Sequence, residues 1–213
     1  FNLPDLSQLP IFPYVVVAHC AFVCLAHRKR APKGQYWLVH CMTSLLAATG
    51  GGMFASICLG RPIPLLSDPM LLPTFLAVWW LINCSPFDVV FLLVSVPPLS
   101  YIIQGLEGVS RAQTSLKFAS LGSVLSLPAG LIAGTLAGSF GATFLYLEQK
   151  GRQGGTSPAY LFTSPTPSLS FCFWVSLLAV YIQQVGGAES MASLAFVAVP
   201  LSALAQCLTS SLQ

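Results

Sequence analysis

Residues 118–147, FASLGSVLSLPAGLIAGTLAGSFGATFLYL, contain no Lys, Arg, Asp or Glu. A helix of about 20 mostly apolar residues crosses the hydrocarbon core of a bilayer, so this stretch spans with residues to spare. The same holds for 34–60, 153–188 and 190–213, each free of charge. Of the 213 residues, 55% are hydrophobic and 7% are charged, where a soluble domain carries roughly a quarter. These figures exclude a soluble enzyme, a nucleic-acid-binding module and a disordered chain. The net charge of +3 is too small to imply an acidic partner. The expected class is an all-α polytopic membrane protein.

Working outward with a span-length window gives seven predicted transmembrane helices: 11–26, 37–58, 71–90, 97–120, 122–147, 169–185 and 191–212. Pro86 and Asp88 interrupt the third, so 88–96 reads as a short interfacial helix before Pro97-Pro98 opens the fourth. Arg28, Lys29, Arg30 and Lys33 follow the first apolar run, whereas a cleavable signal peptide has its basic residues in front. That run therefore reads as a retained span. Short loops rich in Lys and Arg stay cytoplasmic, which puts 27–36 inside and the N-terminus outside. Alternation then sets 60–70, with Arg61, outside, and 148–168, with Lys150 and Arg152, inside. Within the latter, 153–168 reads as a Gly/Ser/Thr/Pro linker.

Seven cysteines (Cys20, Cys24, Cys41, Cys58, Cys84, Cys172, Cys207) lie in apolar surroundings without a C-x-x-C pair and read as small buried hydrophobes. His19, His27 and His40 are isolated and show no metal spacing. No nucleophile stands with a base, and there is no phosphate loop or carboxylate pair, so neither enzymatic chemistry nor a metal site is expected.

The glycines of the second and fifth spans occupy equivalent places in two three-span units. Thr49-Gly50-Gly51-Gly52 stands in one, and Gly130, Gly134, Gly138-Ser139 and Gly141 in the other. Units of three spans have opposite topology, the arrangement in which sites form near the midplane. The expected organisation is a single transmembrane domain, 1–213, with repeat one about 11–96, repeat two about 97–185 and a seventh helix about 191–212. Two readings of the glycines stand side by side. Small residues four apart let helix backbones approach in lipid; alternatively, Gly50, Gly51, Gly52, Gly134, Gly138 and Ser139 loosen or kink their helices so that freed carbonyls line a pore.

The fourth span carries the most informative polar set. Gln104, Glu107, Arg111 and Thr114 share one helix face, and Glu107 and Arg111 are spaced for an ion pair. Ionisable groups at membrane depth are costly and face a bundle interior or a water-filled path. The pair is therefore either a packing device or part of a pore or headgroup site. Lys117 points elsewhere and snorkels toward the outer interface. Asp88, after a Pro turn, is expected to cap the following helix, with an ion-attracting carboxylate as the other reading.

The order of several motifs resembles the trimeric intracellular cation channels of endoplasmic and sarcoplasmic reticulum. They are Gly50-Gly51-Gly52 running to Leu59-Gly60-Arg61-Pro62, Ala77-Val78-Trp79-Trp80-Leu81-Ile82, Ser85-Pro86-Phe87-Asp88, Gly134 with Gly138-Ser139, Glu148-Gln149 and Tyr181-Ile182-Gln183-Gln184. The resemblance covers most of the chain. It implies a seven-span protomer with a lumenal N-terminus and a cytoplasmic C-terminus, in reticulum or nuclear membrane, built as two inverted repeats plus a seventh helix. It further implies a homotrimer with one path for K+ and other monovalent cations in each protomer, glycine segments flanking that path, and counter-ion flux during calcium release.

The family's fourth span carries a Lys-Glu-Val motif and an Arg one turn on, which contact a phosphoinositide headgroup. The aligned residues here are Leu106, Glu107, Gly108, Val109 and Ser110. Glu107 is kept, and the basic positions have become Leu106 and Ser110, with Arg111 displaced by one. Family basic residues near spans five and six align with Ala137 and Phe171. Arg111 and Lys117 remain as candidate contacts for a lipid headgroup. The sequence thus supports a potassium-permeable channel with altered lipid regulation, and beside it a non-conducting scaffold or lipid-binding relative that keeps the trimer. A secondary transporter, which also uses inverted repeats, is a third reading.

Overall fold

The computed structural model describes residues 14–32, 34–152, 166–185 and 201. All regular structure among them is helical: α1 (Val16–Arg30), α2 (Trp37–Cys58), α3 (Pro64–Ser67), α4 (Leu71–Cys84), α5 (Val89–Ser95), α6 (Leu99–Ser123), α7 (Leu127–Arg152) and α8 (Pro167–Val185). Apart from Leu201, the expected seventh span lies outside the described residues, as do residues 153–165 of the expected linker and Cys207.

Proline and glycine set the boundaries. α1 stops at Ala31, whose extended backbone (ψ 139°) is what the ring of Pro32 imposes on the residue before it. α2 ends with Gly60 in the left-handed region (φ 62°). There the Gly60 amide donates to the Ile57 carbonyl at 3.1 Å and the Arg61 amide to Ser56 at 2.8 Å, a Schellman closure that satisfies two of the last carbonyls. Ser126 Oγ accepts from the Ala129 amide at the start of α7, and Thr166 Oγ1 from Leu169 at the start of α8. Each start also carries a proline, Pro128 and Pro167, where a missing N–H costs nothing.

Among the described residues two helices, Trp37–Cys58 and Leu127–Arg152, are each long and apolar enough to cross a membrane; α4 with its continuation to Ser95 reaches that length only as a pair bent by 92°, the geometry of a broken span or a re-entrant segment. The bend falls where Pro86 and Asp88 predicted it. Phe87 and Asp88 both adopt positive φ (54° and 56°), and α5 follows as the expected short helix. Asp88 does stand at its N-cap position, but its side chain makes no cap hydrogen bond. Its Oδ1 instead accepts from Arg28 Nη2 at 2.7 Å, because the left-handed backbone at Asp88 turns the carboxylate toward the end of α1.

α2 and α7 run unbroken through their glycines. A methyl group on Gly51 would strike the Ala137 carbonyl, and one on Gly141 the Ala47 carbonyl, so the two helices cross backbone to backbone, as small residues permit in lipid. Gly134 is pressed on Ser115 and Ala119 of α6, and Gly138 on Ser115 and on Cys172 of α8. These backbone-to-backbone approaches are the contacts that the close-packing reading expects. α6, α7 and α8 pack on one another, α1 packs on α4 and α2, and α2 with α7 and α1 with α6 join the two groups. The largest apolar cluster sets Cys20, Cys24 and Leu25 of α1 against Phe75, Val78, Trp79 and Ile82 of α4. Cys41 and Cys172 are buried as expected, but Cys58 and Cys84 are exposed, since both sit at helix ends facing away from the bundle.

Candidate functional site: a charged neck between two cavities

Two cavities meet where α1, α2, α6 and α7 converge. The first, about 280 Å³, is lined on its far side by Asp68, Thr114 and Lys117. The second, about 100 Å³, is lined by Phe22, Arg30 and Leu145. His19, Ala48, Glu107, Arg111, Ala137 and Gly138 belong to both walls and form the neck between them. A third cavity, about 300 Å³, shares Phe22, Ala26 and Arg30 with the second and continues to Lys29 and Gln104.

Three side chains fill the neck. Glu107 and Arg111 form the expected pair one turn apart on α6, with Arg111 Nη2 donating to Glu107 Oε1 at 3.0 Å; their side chains are 3% and 7% exposed. The third is His19 of α1, whose Nδ1 lies 2.5 Å from Glu107 Oε2 and whose Nε2 lies 2.9 Å from the Ala48 carbonyl oxygen of α2. Arg111 also reaches α8, where Nη1 donates to Ser168 Oγ at 2.7 Å. The carboxylate is therefore met on both oxygens and the cluster ties four helices together. Chemically it offers a carboxylate, an imidazole and a guanidinium side by side at the constriction between two cavities.

The polar face predicted for α6 follows the line of cavities. Gln104 lines the third, Glu107 and Arg111 the neck, and Thr114 the first. Lys117, expected to point elsewhere, is exposed and also contributes to the wall of the first cavity, with Asp68. Gly51 and Gly138 face the second cavity and Gly52 the first. Gly50 packs on Phe140. Ser139 Oγ donates to the Thr135 carbonyl of its own helix at 2.6 Å and stands away from the neck.

The other two histidines meet at the far end of α1. The His27 and His40 rings stack with centroids 4.2 Å apart. Trp79 Nε1 donates to His40 Nδ1 at 3.1 Å, His27 Nδ1 lies 2.7 Å from Ser44 Oγ, and Ser44 Oγ donates to the His40 carbonyl at 2.8 Å. Beside them Arg28 donates to the Ile82 carbonyl at the end of α4 and lies over the Phe91 ring, 4.2 Å from its centroid. No group of three metal-ligating side chains occurs among the described residues.

Sequence reading missed His19 and Ser168 as partners of the ion pair. His19 and Glu107 are 88 positions apart, so no spacing connects them. The available signal was a polar side chain in the middle of a predicted span, which by itself points to a polar partner.

The sequence pattern of the TRIC channel family matches residues 32–152, more than half of the chain. The chain is 30% identical over 125 residues to a trimeric intracellular cation channel type B of Danio rerio, an alignment covering 52% of this chain and 42% of that protein. Its fold is similar to that of a trimeric intracellular cation channel from C. elegans solved in the absence of Ca2+, with a TM-score of 0.78 and 20% identity over 98% of this chain and 93% of that one. A structure described as the basis for activity of TRIC counter-ion channels in calcium release is similar at TM-score 0.75 and 19% identity, over 96% of each chain.

Proposed function

The chain belongs to the TRIC channel family, and from that premise we propose that it is a potassium-permeable monovalent cation channel of an intracellular membrane, with one path in each protomer of a homotrimer. The observation that carries this reading is the line of cavities along α6, interrupted at a neck built around Glu107. A carboxylate is one of the groups with which cation paths line a constriction. Seven spans in two inverted repeats plus a seventh helix, a lumenal N-terminus and a reticulum or nuclear-membrane location complete the proposal. They rest on the placement of Lys and Arg and on the family. Asp68 and Lys117 then belong to the lumenal mouth, and Lys29 and Arg30 to the cytoplasmic one. Counter-ion flux during calcium release is the matching physiological role.

One observation favours the second reading, a non-conducting scaffold: both oxygens of Glu107 are already held, by His19 and Arg111, so the neck is closed by its own side chains. A phosphoinositide regulator suits Arg111 poorly, since its guanidinium is buried against Glu107 and Ser168; exposed Lys29 and Arg30 are better placed for an acidic headgroup. Planar-bilayer recording of the purified trimer decides between the readings. Potassium current is expected, and its absence at both polarities from intact trimers sinks the channel.

A further inference from the structure

His19 is held by two acceptors. The Ala48 carbonyl oxygen only accepts, so Nε2 carries a hydrogen. The 2.5 Å approach of Nδ1 to Glu107 Oε2 requires a second hydrogen between them, on the ring or on the carboxyl group, because two lone pairs at that separation repel. Arg111, always protonated, holds the other carboxylate oxygen. The charge of the neck follows wherever the shared proton rests. Imidazolium, carboxylate and guanidinium leave one net positive charge, and so do imidazole, carboxylic acid and guanidinium. Removing the proton leaves the cluster neutral, with a lone pair on Nδ1 facing Oε2, so that ring and carboxylate separate and Oε2 is freed.

We infer that the His19 Nδ1–Glu107 Oε2 pair is a proton-binding site that holds the neck closed to cations, and that release of this one proton to the water-sized spaces on either side admits them. The inference rests on the channel reading and adds its regulation. The groups facing His19 are few. Glu107 and Arg111 come from α6, Cys20 from its own helix, and Cys172 of α8 lies behind Arg111. Asp68 and Lys117 look in from one cavity and Arg30 from the other. The lining residues of α2 and α7 carry no titratable side chain, and α4 packs on the opposite side of α1 through Phe75, Val78, Trp79 and Ile82.

The test is potassium current through the purified trimer in a planar bilayer, with pH stepped from about 5 to about 9, the range in which histidines titrate. Removing one charge from a constriction of low dielectric should raise the current about tenfold toward alkaline pH. His19→Gln takes up no proton and leaves the charge of the neck the same at every pH, so its current should be independent of pH. A second arm follows the His19 ring nitrogens by 15N NMR in detergent, where the Nδ1 signal should shift between the acid and the alkaline end as the shared proton leaves, while Nε2 stays protonated throughout. Current that is flat with pH, or that falls as pH rises, overturns the inference and leaves the channel reading standing. Unchanged pH dependence in His19→Gln overturns it as well. No current at any pH overturns the channel reading and the gating with it, while the NMR arm still reports whether the proton is bound at His19.

Discussion

The chain keeps its three described histidines in two clusters built on opposite principles. At the neck, His19 faces an acceptor with each ring nitrogen, its partners are a carboxylate and, through it, a guanidinium, and cavities lie on both sides. At the other end of α1, Trp79 donates to His40 Nδ1, which must therefore carry a lone pair. Ser44 spends its hydrogen on the His40 carbonyl, so His27 Nδ1 donates to Ser44, and His27 Nε2 has no hydrogen-bond partner. In the first cluster an extra proton sits between two acceptors, whereas in the second the lone pair of His27 Nε2 faces no acceptor that would share one. What differs is the neighbours that α2, α4 and α6 present. Indole and hydroxyl groups fix neutral rings as packing units, whereas a carboxylate at a cavity wall makes the ring part of a site.

The strongest way to break this contrast is to take the carboxylate away. Glu107→Gln leaves Arg111 buried without its counter-charge, and breaking a buried pair by removing one partner costs about 3–5 kcal/mol. Thermal unfolding of the detergent-solubilised trimer should show a large loss of stability, and Ser168 alone should not hold the Arg111 guanidinium. A variant as stable as the natural protein would mean that the neck is solvated and that the pair contributes little.

The second cluster should respond in stability alone. Ser44→Ala removes the acceptor of His27 Nδ1–H in a fully buried place, and a buried donor left without a partner costs about 1–3 kcal/mol. The same unfolding experiment reads the loss, while potassium current and its pH profile should be unchanged. An altered pH profile would show that the two ends of α1 are coupled and would remove the distinction between a packing cluster and a site.

Much of the architecture was legible because it rests on local chemistry. Charge-free runs gave α2 to the residue, whereas α7 (Leu127–Arg152) begins and ends later than the expected 122–147; Pro86 and Asp88 gave the break after α4, and the four-residue spacing of Glu107 and Arg111 gave their pair. What stayed hidden depends on which helices touch. His19 and Ser168 meet the pair from α1 and α8, and Lys117 shares a cavity with Asp68 from another part of the chain. Gly50-Gly51-Gly52 reads equally as a loosened helix or a contact surface until α7 is seen against it with the Ala137 carbonyl at Gly51. Such pairings are set by tertiary packing, which periodicity along one helix does not encode.

Arg28 and Asp88 give the smallest effect and fix the scale for the others. This pair has the same elements as Glu107 and Arg111, a carboxylate and a guanidinium at 2.7 Å, but Asp88 is 53% exposed. Water screens an exposed pair, and such pairs contribute roughly 0–1 kcal/mol. Arg28 keeps the Ile82 carbonyl and the Phe91 ring when the carboxylate is gone. Asp88→Asn should therefore shift the unfolding midpoint only slightly and leave conduction as it is. A loss comparable to that of Glu107→Gln would show that the Arg28–Asp88 bond holds the bend between α4 and α5. The left-handed backbone at Phe87 and Asp88 would then depend on that one ion pair, and burial would no longer explain why the two carboxylates differ.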